Sequence, residues 1–263
     1  GMEKEGRSYD YALSTGFPDK ALAPRRVMLK YQHRMHPEIS EFPRRHIYLD
    51  KETGEPEGLH DPDDMRERRV WNYSRYPKRR WWFDIRDCTF GDNKLCVICD
   101  RKRPDYDNVN NHEADKIIQE LANFRKWTKN NPNPENTDWS LTLLTFYRGQ
   151  ERELSRRLQK YFSSSNFRTF TDKKHHLKVE VCTVDRFQGH ESDVVFLSFV
   201  RNGFRVGFLN SMHRLNVSLT RARYQLVIFG NRKSFVDAYE RRHRSKLLHA
   251  LAKETRSDIR WSG

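Results

Sequence analysis

At 263 residues the chain lies near the upper size for a single hydrophobic core, and its 50 Lys and Arg against 36 Asp and Glu leave a net charge of +14. A surplus of that size suits a polyanionic partner, nucleic acid first, with a generally cationic surface as the plainer alternative. Cys88, Cys96, Cys99 and Cys182 are too few for a secreted disulfide framework and fit a reducing intracellular compartment, cytoplasmic or nuclear, while the longest strongly apolar stretch, VVFLSFV, is far too short to span a bilayer, so no membrane partner is expected.

Residues 1–26 are polar and Pro-containing without sustained periodicity and read as a lead-in or linker. The main domain is expected over 27–252, with a tail at 253–263 and a charged insertion near 50–80. In YQHRMHPEISEFPRR, Pro37 opens a short helix carrying Glu38 in its first turn, and Pro43 limits it. Residues 50–70 are rich in charge, Gly and Pro and are expected to be exposed. Within them the run Arg66 to Arg69 reads as a solvated face and HDPDD at 60–64 as an acidic turn, in preference to a nuclease centre. RRWWFDIRD reads as a strand that takes Trp81, Trp82 and Phe83 into the core. Trp71, Tyr73 and Tyr76 remain open between core and base-stacking surface. LCVICD is a candidate short strand, and its lone CxxC lacks the second pair that a tetrahedral zinc site needs, so no metal is expected.

Asn110 followed by Glu113 resembles a capping box, and Ala114, Ile117, Ile118, Leu121 and Phe124 recur at helical spacing, which predicts a helix from about 111 to 128. NNPNPENTD is a loop, SLTLLTFY a buried strand, and GQERELSRRLQKYF a helix with Leu154, Leu158, Tyr161 and Phe162 inward. KVEVCTV, VVFLSFV and YQLVIFG follow as strands, RLNVSLTRAR as a helix, and a final helix contains Phe235, Tyr239, Leu247, Leu248 and Leu251. Strands alternating with helices predict a doubly wound parallel sheet with ligands beyond the carboxyl ends of its strands. The polar run after KVEVCTV carries Asp185, Arg186, Gln188, Gly189, His190, Glu191 and Asp193 between two apolar segments, which marks it as a site. With RLNVSLTRAR drawn as one helix, Arg214, Ser218 and Arg221 share a polar face and Arg223 projects from the opposite flank, so Arg221 is the better anion ligand.

Four segments, in order, resemble superfamily 1 helicases of the nonsense-decay and senataxin-like type. They are YQHRMHPEISEFP at 31–43, LLTFYRGQ at 143–150, VCTVDRFQGHESDVVFLSFVRN at 181–202 and GFLNSMHRLNVSLTRARYQLVIFGN at 207–231, with a weaker match in NxxEA at Asn110 to Ala114. The resemblance covers roughly residues 28–235 and implies the second RecA-like domain of such a motor. That is an α/β, P-loop-NTPase-type three-layer sandwich with a mostly parallel sheet, lacking the phosphate loop itself.

In that family ATP and Mg2+ lie between two RecA-like domains, and the first supplies the phosphate loop, the magnesium ligand and the catalytic glutamate. The partner implied here is the first RecA-like domain of the same longer protein. Arg34 and Arg221 match the arginines that reach the γ-phosphate; Gly189 permits close backbone approach; Glu191 matches the position that helps read the nucleotide and couple domain closure. The family's Tyr before the first arginine is His33 here, and structural roles are expected for His33 and His36. Thr145, Tyr147, Arg148, Thr183 and Arg186 match positions facing single-stranded DNA or RNA, although Thr145 and Thr183 read equally well as strand-end hydrogen-bonding residues.

No Gly in the chain is followed by Lys, so the phosphate-binding GxxxxGK[ST] is missing, and the 263 residues alone are expected not to hydrolyse ATP. The expected function is the C-terminal motor domain of an ATP-dependent helicase or translocase, with 5′ to 3′ movement implied by the family. A non-catalytic nucleic-acid-binding or scaffold module on the same fold is the alternative.

Overall fold

The computed structural model describes residues 31–50, 52–85, 108–201, 206–240 and 245–257. In chain order its elements are Pro37–His46 (α1), Met65–Arg68 (α2), Arg80–Asp84 (β1), Asn111–Thr128 (α3), Trp139–Thr145 (β2), Arg148–Phe162 (α4), Thr169–Asp172 (β3) and Leu177–Thr183 (β4). Ser192–Ser198 (β5), Met212–Leu219 (α5), Ala222–Gly230 (β6), Arg232–Glu240 (α6), Lys246–Glu254 (α7) and Arg256–Ser257 (β7) follow.

Apolar residues occupy both faces of the strands, and this fixes the layering. Along β5, Val194 and Phe196 enter one cluster while Val195 and Leu197 enter the other; Trp82 of β1 faces away from Trp81 and Phe83. A sheet buried on both sides needs helices on both sides. α3 and α4 cover one face through Ala114, Ile117, Leu121, Phe124, Leu154 and Leu158. α1, α5, α6 and α7 cover the other through Ile39, Phe42, Leu215, Leu219, Phe235 and Leu251. The result is the expected three-layer sandwich around a seven-stranded sheet of order β3-β4-β2-β5-β6-β1-β7, antiparallel only between β3 and β4.

The connection from β4 to β5 departs from the usual helical crossover. Both strands lie parallel to β2, on either side of it: Thr183 pairs with Thr145 at one end, whereas Val194 pairs with Leu141 near the other. The chain therefore travels roughly 20 Å back along the sheet in eight residues, 184–191, with no helix between. Val184 and Phe187, both buried in the α1/α5 face, pin it there.

Several expectations are corrected by these elements. The predicted helix RLNVSLTRAR stops at Leu219, and Arg221 and Arg223 belong to the entry of β6. The final helix is two, α6 and α7. The 50–70 segment is not simply exposed. Asp61 accepts hydrogen bonds from Gln32, Ser40 and Arg44 at 2.6, 2.6 and 2.8 Å; Met65 is fully buried and Arg69 nearly so. Trp71, Tyr73 and Tyr76 also pack inward, Trp71 and Tyr73 against Phe124 and Trp127, which leaves no stacking surface there. The predicted strand LCVICD, with its CxxC and Cys88, lies outside the described residues. Cys182 is a core residue whose thiol is pushed up to about 12 by burial, so it stays protonated and inert.

The helix predicted from Asn110 is present with its cap. Asn110 Oδ1 accepts from the backbone N–H groups of His112 and Glu113. Glu113 does more than cap: fully buried, it accepts from Ser198 Oγ and from the Val200 N–H, while Gln150 Nε2 donates to Ser198 Oγ and to the Asn110 carbonyl. This fully connected network ties α3 and α4 to the carboxyl end of β5.

Phe187 is the anchor of the β4–β5 crossing, so Phe187→Ala is expected to cost about 3 kcal/mol or more in urea unfolding. An unchanged midpoint would show that the crossing is held by other means.

Candidate functional site

Two clusters of basic side chains lie at opposite ends of the sheet. The first is built where β5 and β6 begin. Glu191 directly precedes β5 and Arg221 directly precedes β6, and the Ser192 N–H donates to the Arg221 carbonyl at 3.1 Å. Arg34 joins them from the start of the chain. Its backbone is locked in a turn in which Gln32 Oε1 accepts from the N–H groups of Arg34 and Met35 at 2.9 and 2.7 Å. The His36 N–H then donates to the Arg223 carbonyl, fastening the turn to β6.

Side-chain contacts draw the three groups together. Arg34 Nε donates to Glu191 Oε2 at 2.6 Å and its Nη1 to the Thr220 carbonyl at 3.1 Å. Arg221 donates to the carbonyls of Val217 and His190 at 3.2 and 3.1 Å. Both guanidinium groups therefore meet carbonyls at the end of α5, where the helix dipole favours positive charge. The two cations also disfavour each other. Burial first, and Arg34 second, hold the Arg221 guanidinium below the usual arginine range. Arg34, Glu191 and Arg221 thus line one partly exposed rim, where Glu191 pairs with Arg34 at 2.6 Å and more loosely with Arg223 at 3.9 Å, while Arg221 is held by carbonyls and makes no ion pair among the described residues.

This rim stands at the amino ends of the strands, whereas a site at their carboxyl ends was expected. The traverse of residues 184–191 is the reason, since it delivers Glu191 to the far end of the sheet from Thr183. The helical-face argument for Arg221 fails as well: Ser218 is fully buried, and Arg214 turns to Asp185 at 2.8 Å, away from Arg221. Arg223, on β6, contacts Asp193 at 3.1 Å and pairs with Glu135. Gly189 has φ +89, and a Cβ there would meet nothing within 4 Å, so backbone conformation and not crowding inside this chain calls for glycine.

Sequence reasoning missed Arg69. It donates Nε to the Arg34 carbonyl at 2.7 Å and Nη2 to the His33 carbonyl at 2.9 Å, holding the turn from outside. The only signal was its place in a basic run that reads as solvent-facing.

The second cluster surrounds a cavity of about 860 Å³ at the carboxyl ends of β2 and β4. Tyr147, Arg148, Thr183 and Arg186 all line it. Thr145 does not: it is fully buried, and its Oγ1 accepts from the Tyr147 N–H at 3.4 Å, the strand-end role that was the alternative for it. Arg186 pairs with the buried Glu151, and burial, then Arg148, holds its guanidinium below the usual range. Phe208, Phe167 and Arg168 also line the cavity and were not singled out from sequence, and Arg214, expected beside Arg221, lines it too, because the fold brings these distant segments together.

The AAA domain family matches residues 17–233. The chain belongs to that family. This AAA domain is 29% identical over 235 residues to the protein named Helicase sen1 of Schizosaccharomyces pombe, covering 88% of the chain and 12% of that protein. It is 31% identical over 216 residues to ATP-dependent helicase NAM7 of Saccharomyces cerevisiae, covering 79% and 19% respectively. It is 30% identical over 214 residues to the Regulator of nonsense transcripts 1 homolog of Drosophila melanogaster, covering 81% and 16%. These relatives make it a superfamily 1 helicase domain of the nonsense-decay and senataxin type with a RecA-like fold, and it spans less than a fifth of the length of each.

His33 is exposed, whereas His36 caps α1, its Nδ1 accepting from the Glu38 N–H at 3.2 Å. Burial, then Arg79, lowers His36 from 6.5 to about 4, so the folded AAA domain keeps it neutral. Because the folded value lies below the unfolded one, its contribution is complete above about pH 6.5 and is lost as pH falls towards 4. His36→Asn, which keeps a capping acceptor without a titration, is expected to lose less stability than the parent between pH 7.5 and pH 4.5 in urea unfolding. Parallel losses in the two proteins would remove His36 as a source of the acid sensitivity.

Proposed function

We propose that this chain is the second RecA-like domain of an ATP-dependent helicase or translocase acting on single-stranded DNA or RNA inside the cell, moving 5′ to 3′. The observation that carries the reading is the convergence of Arg34, Glu191 and Arg221 on one rim.

On such a rim Arg221 has carbonyl partners and, among the described residues, no carboxylate of its own. A nucleoside triphosphate fits because a guanidinium is permanently charged and donates parallel hydrogen bonds to phosphate oxygens. ATP with Mg2+ would be gripped mainly by a first RecA-like domain, and when bound it supplies the phosphoryl group to be transferred. Arg34 and Arg221 would hold its terminal phosphate and stabilise charge developing there. Glu191 holds Arg34 by its Nε and the Thr220 carbonyl holds its Nη1, which leaves Nη2 for the ligand. At Gly189 the open space around the backbone is available to a nucleotide or to the opposing lobe.

The groove at the other end of the sheet would take the strand, with Tyr147, Arg148, Thr183 and Arg186 contacting phosphate or sugar. The 184–191 crossing runs from Arg186 to Glu191 without a break, so movement of the rim on closing around a nucleotide would be transmitted to the groove through one short peptide.

The test is the longer protein containing both RecA-like domains. Arg221→Ala is expected to lower kcat for ATP hydrolysis by about 10³ while nucleic-acid binding without nucleotide stays within twofold. Hydrolysis at the parental rate would end the proposed role of the rim. The 263-residue chain alone is expected to show no hydrolysis above background, and turnover that co-purifies with it through two columns would overturn the division of labour.

A further inference from the structure

The groove contains a feature that phosphate contacts do not use. Phe208 is 54% exposed, and Phe167, lining the same cavity, is 46% exposed. A single exposed phenylalanine is ordinary. Two on the walls of one arginine-lined cavity are more informative, and Phe208 is held in place with some care.

Phe208 sits in the turn Gly207–Asn210, which is fastened on both sides. Leu209, the next residue, is fully buried, and its N–H donates to the Val206 carbonyl at 2.9 Å. Gly207 has φ +51 and lies so close to Tyr147 that a Cβ would meet the Tyr147 hydroxyl at 3.0 Å; that hydroxyl donates to the Val206 carbonyl at 3.4 Å. Ser211 then caps α5, accepting from the Arg214 N–H. From the first turn of α5 the Arg214 guanidinium lies over the Phe208 ring at 4.5 Å from its centre. One face of the ring is covered by a cation and more than half of the residue remains open.

We propose that Phe208 is a base-stacking residue for an unpaired nucleic-acid strand, with Arg214 backing the ring and Arg148 and Arg168 taking phosphates beside it. This rests on the nucleic-acid reading of the groove. An aromatic face flanked by cations matches the alternation of flat bases and phosphates along a single strand. A duplex offers no free base face, and an acidic peptide offers charge without rings to stack.

The experiment is fluorescence anisotropy with the 263-residue chain and three labelled 12-mers: a single strand, the same strand in duplex, and an abasic sugar-phosphate strand. The parent is expected to prefer the single strand to both others. Phe208→Ala is expected to weaken single-strand binding about tenfold and leave abasic binding unchanged, and Phe208→Trp is expected to restore it. Arg148→Ala is expected to weaken both the single strand and the abasic strand. Equal loss on both strands, or no loss, for Phe208→Ala overturns the stacking role even if Arg148→Ala behaves as stated. Indifference of all three oligonucleotides to Arg148→Ala, or binding of polyglutamate in their place, overturns the nucleic-acid reading of the groove itself. Unchanged thermal unfolding of each variant separates these outcomes from misfolding.

Discussion

The order of the strands imposes the constraint on which the rest depends. β4 and β5 flank β2 and run parallel to it, so the polypeptide must return from one end of the sheet to the other between them. Most parallel sheets make that return with a helix. Here eight residues do it, held to the sheet by Val184 and Phe187. Polar residues flank those anchors and emerge at both ends, Asp185 and Arg186 beside the groove, Glu191 beside the rim. A polar run wedged between two buried strands is therefore a bridge between two anion-seeking surfaces, and not a loop on one of them.

The rim is held by contacts that do not themselves seek an anion. Gln32 and Arg69 fix the backbone at Arg34, Asp61 holds Gln32, and Arg69 and Arg223 share Glu135. Arg34 and Arg221 lie near enough to disfavour each other's charge, and the interlocked scaffold holds both in place. For the proposed phosphate, preorganisation of that kind would supply positive charge without further ordering.

Much of this was legible in the sequence. Alternating apolar strands and the periodicity from Asn110 to Phe124 gave the layers and α3 with its boundaries, because burial on both faces leaves a strong pattern. The convergence of Arg34, Glu191 and Arg221 was expected only through the four resembling segments, since nothing local to residue 34 points to residue 221. Local reasoning failed where tertiary contacts override it. RLNVSLTRAR has no Gly or Pro to mark its end, yet pairing of β6 with β5 takes Ala222 onwards out of the helix. Arg69 and Asp61 looked like solvated charge because their partners lie 17 to 36 residues away in the chain. Phe208 and Arg214 became neighbours of Arg148 and Arg186 only through the fold.

The net charge of +14 overstates how much positive charge the groove offers. Arg186 is paired with Glu151 and Arg214 with Asp185, so part of the cation lining is already neutralised by the protein's own carboxylates. Glu151 is buried, and removing its partner would leave an uncompensated charge in a poorly solvated place. In the proposed groove, a strand phosphate drawing Arg186 away would have to offset that loss, which would keep the contact weak. Under the proposed function, weak contacts would suit a surface that releases and re-grips a strand, whereas a groove of bare arginines would hold it more firmly.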